Sequence, residues 1–263
     1  MLKIENLTKI FNQATINEKI ALNDISIEIN DGDFVTVIGG NGSGKSTFLN
    51  LISGVYEPDN GNIIIDNIDV TKLKEAKRAK FLGRVFQDPM MGTAASMSIL
   101  ENLSIAHKKG IRKSLKWGFN KNLTKDFIEK LKTLNLGLEN NIEQKIGLLS
   151  GGQRQAVTLI MATLNKPKIL LLDEHTASLD PKTANTVLEL TNEMVTENQI
   201  TTIMITHNMR DALKYGNRLL MFNNGKIILD VSNEEKEKLT IKSLLQKFEH
   251  DENIEVTDAM VLS

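Results

Sequence analysis

The chain has 263 residues, 41% of them hydrophobic and 25% charged, a composition that excludes a wholly disordered, collagenous or fibrous protein. Its 32 lysines and arginines nearly balance 33 aspartates and glutamates, so no overall basic excess attracts nucleic acid or anionic lipid. The absence of cysteine excludes disulfides, thiol catalysis and cysteine-ligated zinc, and it fits a reducing compartment.

Strand patterns dominate the first third of the chain. Runs rich in β-branched residues and one nearly continuous apolar run are typical of strands, and the apolar run leads through a glycine-rich segment into a helical pattern. The predicted elements are strands at residues 2–10, 21–29, 33–38 and 62–66, and helices at 45–52 and 73–79.

Helical patterns fill the middle of the chain, and strands return after residue 166. Two short apolar runs at 169–172 and 202–205 flank a helical pattern at 181–197, and this βαβ order predicts a parallel sheet. The remaining predicted elements are helices at 98–107, 123–134 and 153–164, a hairpin at 218–231, a charged helix at 233–248 and an acidic tail.

A glycine-rich loop carries the first chemical motif. Residues 39–46 read Gly-Gly-Asn-Gly-Ser-Gly-Lys-Ser between a predicted strand and a predicted helix, and this fits the phosphate-binding pattern G-x-x-x-x-G-K-[ST]. We expect Lys45 to reach the β and γ phosphates of a nucleotide and the Ser46 hydroxyl to ligate Mg²⁺. The alternative, a glycine-rich turn with an incidental lysine, is disfavoured by the flanking elements.

Two carboxylates end the next apolar strand. Asp173 and Glu174 follow residues 169–172, and an acid at the carboxyl end of a parallel strand faces the crevice where ligands bind. We expect Asp173 to hold Mg²⁺ and Glu174 to act as the general base that polarises the attacking water. Taken alone, such a pair is also compatible with a helix cap or a turn.

A third motif, Leu-Ser-Gly-Gly-Gln at residues 149–153, stands at the start of a predicted helix about twenty residues before Asp173. With these motifs in this order, the chain resembles an ATP-binding cassette, the ATPase of ABC transporters. The resemblance implies that Ser150, Gly151, Gly152 and Gln153 contact the γ-phosphate of ATP held by the other subunit of a dimer. A helix N-terminus with free N–H groups suits such an anion.

Three further residues match positions of this family. The resemblance implies that Gln87 belongs to the glutamine loop and reaches Mg²⁺, that His207 is the switch histidine that orients Glu174 and contacts the γ-phosphate, and that Asp180 links the two nucleotide sites. The resemblance implies that ATP is bound by Phe11, Gly39, Gly40, Asn41, Gly42, Ser43, Gly44, Lys45, Ser46, Thr47, Ser150, Gly151, Gly152, Gln153 and Asp180. It implies that the residues that act in catalysis are Glu174, His207, Gln87 and Lys45. It also implies that Mg²⁺ is bound by Ser46, Gln87 and Asp173.

Three positions depart from the family pattern. Phe11 stands where a tyrosine more often stacks on adenine, and packing in the core is its alternative role. His175 follows the predicted general base where proline is frequent, and Gly40 replaces a proline or serine. Neither of the last two departures removes a group with a predicted chemical role.

The resemblance implies an α/β fold: a P-loop NTPase (RecA-like) core, an antiparallel β subdomain and an inserted helical signature subdomain at about 88–166. The cassette covers residues 1–231, and residues 232–263 form a C-terminal helix and acidic tail whose role stays open. A basic run at 108–117 is interpreted either as a solvated loop or as a contact with membrane headgroups or a membrane subunit.

The family resemblance also implies the function and the partners. In this family, two copies bind ATP and Mg²⁺ between them in a head-to-tail dimer at the cytoplasmic face of the cell membrane. The permease subunits are expected to be separate chains, because the apolar runs of this chain are shorter than the ~20 residues of a membrane span. The leading hypothesis is an importer of a small solute such as an amino acid, with an extracytoplasmic substrate-binding lipoprotein. The alternatives are an exporter or lipoprotein-release ATPase and a non-transport ATPase, and no nucleic-acid partner is expected.

Overall fold

Ten strands form two sheets in the computed structural model, which describes residues 1–109 and 121–250. The strands are β1 (Leu2–Phe11), β2 (Lys19–Ile29), β3 (Phe34–Gly39), β4 (Asn60–Ile65), β5 (Ile68–Asp69), β6 (Leu82–Val85), β7 (Ile169–Asp173), β8 (Thr202–Ile205), β9 (Arg218–Asn223) and β10 (Lys226–Ser232). The small antiparallel sheet has the order β2-β1-β4-β5, and the large sheet has the order β10-β9-β3-β8-β7-β6.

Nine α-helices accompany these strands in the described part of the chain. They are α1 (Lys45–Ser53), α2 (Glu75–Arg78), α3 (Ile99–His107), α4 (Lys121–Lys132), α5 (Gly151–Thr163), α6 (Pro181–Asn198), α7 (Met209–Lys214), α8 (Asn233–Glu237) and α9 (Ile241–His250). None of the helices in residues 1–109 and 121–250 is long and apolar enough to cross a membrane.

Five strands of the large sheet, β9, β3, β8, β7 and β6, run parallel, and β10 is antiparallel at the edge. Every residue of β3 and β8 is buried, because helices or the second sheet cover both faces. Val35 and Val37 pack with α1 and the antiparallel sheet on one face. Leu170 and Leu172 pack with α5 and α6 on the other face.

A separate hydrophobic cluster joins α3, α4 and α5. Phe127 and Leu131 of α4 are buried against Leu103 of α3 and Val157 of α5. This cluster lies within the predicted helical insertion at 88–166, but the division of the chain into domains stays a prediction.

Local capping signals determine where several helices begin. Ser98 caps α3 and Ser150 caps α5, and each forms a capping box with the acidic or amide side chain three residues later. Asp180 caps α6, and Pro181 occupies its first position.

The structure differs from the sequence prediction at two predicted helices and at three short elements. The continuous helix predicted at 233–248 is wrong, because α8 ends at Glu237 and α9 begins at Ile241. At that break the Thr240 hydroxyl accepts a hydrogen bond from the Ser243 backbone N–H (3.1 Å), which starts a new helix. The helix predicted at 73–79 is the single turn α2. The short elements β5, β6 and α7 were not predicted, and the acidic tail and most of the basic run at 108–117 lie outside the described residues.

A fully buried arginine joins α1 to α2. The Arg78 guanidinium donates to the carbonyl oxygens of Leu51 (2.5 Å), Ile52 (3.0 Å), Thr71 (2.7 Å) and Leu73 (2.7 Å). Two of these carbonyls belong to the last turn of α1, where helical carbonyls lack their i+4 partners, although the Leu51 carbonyl also accepts from the Gly54 N–H at 3.2 Å. Arg78 therefore supplies the missing donors inside the core.

Replacing Arg78 with methionine removes these donors and leaves buried carbonyls unpaired. We expect Arg78→Met to lower the free energy of unfolding by at least about 3 kcal/mol. Urea denaturation followed by circular dichroism measures this change. Lys77→Met on the exposed side of α2 is the matched control, with an expected change within about 0.5 kcal/mol; equal effects of the two variants would contradict the role of Arg78.

Candidate functional site

A cleft of about 390 Å³ opens where β3, β7 and β8 end. Its lining contains most of the predicted site residues and two that were not predicted: Phe11, Lys19, Ala21, Asn41, Gly42, Ser43, Gly44, Lys45, Ser46, Thr47, Gln87, Asp173, Glu174 and His207. A larger cavity of about 580 Å³ lies between the ends of α4, α5 and α6 and contains none of the predicted site residues. The predicted site residues therefore centre on the smaller cleft.

Glycines bring the backbone of the 39–46 loop close to its neighbours. A Cβ at Gly39 would lie 2.4 Å from the Phe222 carbonyl oxygen, and one at Gly44 would lie 2.6 Å from the Ala21 carbonyl oxygen. Gly44 also has φ of +110°, a conformation that side chains disfavour. The loop therefore requires glycine at both positions to turn from β3 into α1.

The end of this loop has the properties of an anion site. Gly44 caps α1 without a side-chain hydrogen bond, and the first turn of α1 contains no acidic residue. The Ser43 hydroxyl is buried and has no hydrogen-bond partner in the described part of the chain. A buried donor beside a helix N-terminus fits a bound phosphate, which accepts hydrogen bonds from both.

Lys45 lies buried at the base of the loop. Its Nζ donates to the carbonyl oxygens of Gly39 (2.8 Å) and Gly40 (3.0 Å). These two glycines do not line the cleft, but their carbonyls hold the lysine in position. Burial lowers the pKa of the Lys45 ammonium, and the nearby carboxylates of Glu174 and Asp173 oppose that shift. The lysine is thus held beside two acids at the phosphate loop.

Asp173 ends β7, and an arginine from the neighbouring strand orients its carboxylate. Arg84 Nη2 lies 3.1 Å from Asp173 Oδ2 and 2.8 Å from Asn50 Oδ1, and Nη1 lies 3.1 Å from Ser53 Oγ. Burial raises the pKa of Asp173, whereas Arg84 opposes the rise. Sequence reasoning missed Arg84, because its strand β6 was not predicted.

Glu174 and His207 meet across the cleft. His207 Nε2 lies 2.5 Å from Glu174 Oε1, and the Glu174 backbone N–H donates to the Ile205 carbonyl oxygen at 3.1 Å. The parallel register, in which Asp173 is paired with Ile205, brings these strand ends together. Glu174 has φ of +47°, the left-handed region in which active-site residues are often held.

Phe11 and Gln87 also line the cleft. The Phe11 ring is half-buried and makes an edge-to-face contact with Tyr56, with centroids 5.3 Å apart. Phe11 therefore combines the packing role with exposure to the cleft. The Gln87 carbonyl oxygen accepts a hydrogen bond from the Ser178 hydroxyl at 3.3 Å.

The 149–153 motif and Asp180 do not line this cleft. Ser150 and Gln153 form the capping box of α5. A Cβ at Gly151 would contact Leu179 at 3.1 Å, and one at Gly152 would lie 2.1 Å from Thr183 Cγ2, so this helix start packs against the start of α6. The Thr183 side chain and then its backbone N–H, which donates to Asp180 Oδ1 at 3.1 Å, lower the pKa of the Asp180 carboxyl.

His175 is a buried structural residue. Its Nε2 lies 3.1 Å from the Thr191 hydroxyl on α6, and burial lowers the pKa of the imidazole to about 4. The departure from proline therefore places a neutral, hydrogen-bonded ring between the strand end and α6.

This low pKa makes stability depend on pH in a defined window. The unfolded chain binds a proton near pH 6.5 while the folded imidazole stays neutral down to about pH 4, so stability is lost as the pH falls through this range. We expect wild type to lose about 2 kcal/mol more between pH 7 and pH 5 than His175→Gln, whose amide does not titrate. Urea unfolding at the two pH values gives the difference, and equal losses would contradict the buried neutral imidazole.

Comparisons with known proteins agree on one family. The model of the family described as ABC transporter matches residues 22–177. A tyrosine transport ATP-binding protein of Clostridioides difficile is 48% identical over 250 residues, which is 95% of this chain and 99% of that relative. An energy-coupling factor transporter ATP-binding protein of Clostridium tetani is 37% identical over 238 residues, covering 87% of this chain and 78% of that relative.

A solved structure supports the same conclusion. An ATP-binding cassette described as a dimer in a post-hydrolysis state, bound to ADP and Pi, superposes with a TM-score of 0.75 at 30% identity, over 88% of this chain and 98% of that one. These findings confirm the α/β P-loop NTPase fold and the family predicted from the motifs. The chain belongs to the ATP-binding cassette family, the ATPases that bind ATP and couple its hydrolysis to transport by ABC transporters.

Proposed function

We propose that this ATPase drives the import of an amino acid, of the aromatic class that includes tyrosine, through separate permease subunits. The observation that carries the proposal is the 48% identity to the tyrosine transport ATP-binding protein, which extends over nearly the whole of both chains. An ATPase subunit does not itself contact the solute, so the assignment depends on the partners with which it assembles.

Hydrolysis at the cleft begins with the pair of Glu174 and His207. Glu174 accepts a proton from the attacking water, and His207, 2.5 Å away, fixes the direction of the carboxylate. Lys45, Asn41 and the backbone N–H groups of the loop bind the phosphates. The unpartnered Ser43 hydroxyl supports this placement, because a phosphate oxygen would satisfy it.

We assign Mg²⁺ binding to Ser46, Asp173 and the Gln87 amide. In the described ranges 1–109 and 121–250, no three histidines, aspartates or glutamates converge on one point. A hydroxyl, one carboxylate and an amide, completed by phosphate oxygens and water, is a donor set that suits Mg²⁺. When bound, the ion neutralises phosphate charge. Arg84 holds the Asp173 carboxylate in the cleft.

We infer that a second copy of the chain completes each nucleotide site. The 149–153 motif and Asp180 lie outside the cleft of their own chain, which supports a role on the ATP of the partner. The N-terminus of α5 at Ser150 supplies amide donors for that γ-phosphate. The similar cassette described as a dimer is consistent with this arrangement.

We place the permease contact beside the glutamine loop. Met90 and Met91 follow Gln87 and are 43% and 71% exposed, and the Met90 sulfur lies 2.6 Å from the Arg154 guanidinium of α5. This placement puts the ATPase at the cytoplasmic face of the membrane, with residues 1–231 as the cassette and about 88–166 as its helical subdomain. A substrate-binding lipoprotein outside the membrane completes the proposed importer.

Removing the proposed general base separates ATP binding from ATP hydrolysis. Glu174→Gln keeps the shape and hydrogen-bonding reach of the side chain but cannot accept the proton, so we expect kcat for ATP hydrolysis to fall at least about 100-fold with ATP affinity retained. Phosphate release and ATP titration measure the two quantities. Glu193→Gln, an exposed change on α6, is the control, and turnover within twofold of wild type in Glu174→Gln would contradict the assignment of the base.

The partner proteins test the import proposal. We expect tagged Glu174→Gln incubated with ATP to retain, from native membranes in mild detergent, a polytopic permease together with a binding lipoprotein that binds tyrosine or a related amino acid. Lys45→Ala, which lacks the phosphate-binding ammonium, is the control that should lose the ATP-dependent part of this retention. A permease without a binding lipoprotein would indicate export, and ribosomal or DNA-associated proteins without a membrane subunit would contradict transport.

A further inference from the structure

Lys19 projects into the nucleotide cleft from the antiparallel sheet. It begins β2 and is paired directly with Phe11, the last residue of β1. Directly opposed residues of antiparallel strands project to the same face of the sheet, so the ring and the ammonium stand side by side. Both side chains line the cleft.

The Lys19 ammonium lies next to the phosphate loop. A Cβ built at Gly42 would be 3.3 Å from Lys19 Nζ, and Gly42 lines the cleft together with the rest of the loop from Asn41 to Ser46. The strand pairing thus brings a cation from a different sheet to the loop that binds phosphate. An anion held by the loop at Gly42 is within reach of this flexible side chain.

Lys19 differs from other lysines of the antiparallel sheet in having no partner. Lys3 Nζ lies 2.6 Å from Glu5, and Lys9 Nζ lies 3.1 Å from Asp59. For Lys19, no hydrogen bond or ion pair of Nζ is present within residues 1–109 and 121–250, and its side chain is exposed. The ammonium is therefore free to pair with a ligand in the cleft.

The charge of the cleft favours a further cation beside the phosphate chain, in addition to Mg²⁺. Asp173 and Glu174 place two carboxylates in the lining, whereas Lys45 is the one lysine that the 39–46 motif supplies. Lys45 already donates to the carbonyls of Gly39 and Gly40. A polyanionic ligand is repelled by the two acids, and a second ammonium in the lining reduces that repulsion.

We propose that Lys19 is a second phosphate-binding cation of this site, pairing its ammonium with the phosphates of ATP beyond the α-phosphate while the adenine stacks beside Phe11. The inference rests on the ATP-binding role of the cleft. Because the side chain is exposed, the pair is screened by solvent and salt, and its contribution is smaller than that of buried Lys45. Lys19 adds nucleotide affinity without taking part in proton transfer.

Isothermal titration of MgATP, MgADP and AMP against wild type and Lys19→Gln tests this proposal. We expect affinity for MgATP and MgADP to fall about tenfold, affinity for AMP to change less than twofold, and Lys19→Arg to recover most of the loss. The loss should shrink at 0.5 M salt, since the pair is exposed. In steady-state hydrolysis KM should rise with kcat within twofold of wild type.

Lys77→Gln on α2 is the matched control, because it removes the same charge from an exposed lysine outside the cleft. Equal affinities for MgATP in Lys19→Gln and Lys77→Gln would overturn the proposal. An equal loss for AMP would also overturn it, since the lysine would then act on the base, the ribose or the α-phosphate. These measurements do not require a permease. If both variants bound MgATP as tightly as wild type, the proposed role of Lys19 would be contradicted, whereas the importer proposal would be unaffected.

Discussion

The site depends on the register of three parallel strands. β3, β7 and β8 end at the same edge of the sheet, with Val37 paired to Ile205 and Ile205 paired to Asp173. Each chain segment that leaves this edge carries a different group: the phosphate loop, the two carboxylates and the histidine. A shift of one residue between β7 and β8 would move Asp173 to the other face and separate Glu174 from His207. The buried, apolar strands specify that register, because both of their faces are packed.

The parts of the site that the sequence predicted are those with local signals. A glycine pattern between a strand and a helix, a carboxylate pair after an apolar run and a histidine after the next run mark positions along the chain. The topology then brings them together through parallel pairing, which the βαβ order predicts. The helix starts at Ser98, Ser150 and Asp180 were similarly readable, because caps act within three residues.

Other parts depend on contacts between distant segments, and no local pattern reveals them. Arg84 reaches Asp173 from a strand of four residues that lacks an alternating pattern. Arg78 is charged yet fully buried, because four backbone carbonyls surround it. A charged run such as 233–248 reads as one helix, whereas a threonine that caps a new helix divides it. Patterns of residue types along the chain do not reveal single contacts of this kind.

At Glu174, the left-handed backbone lowers the stability of the fold, whereas the side chain has the proposed role of general base. A non-glycine residue at φ of +47° has a conformational cost, and the hydrogen bond to the Ile205 carbonyl holds it there. Glycine or asparagine would relax that cost, but neither supplies a carboxylate to accept a proton. Selection for a more stable chain alone would therefore replace this glutamate. In the proposed mechanism, the cassette gives up some stability to keep a base at the end of β7.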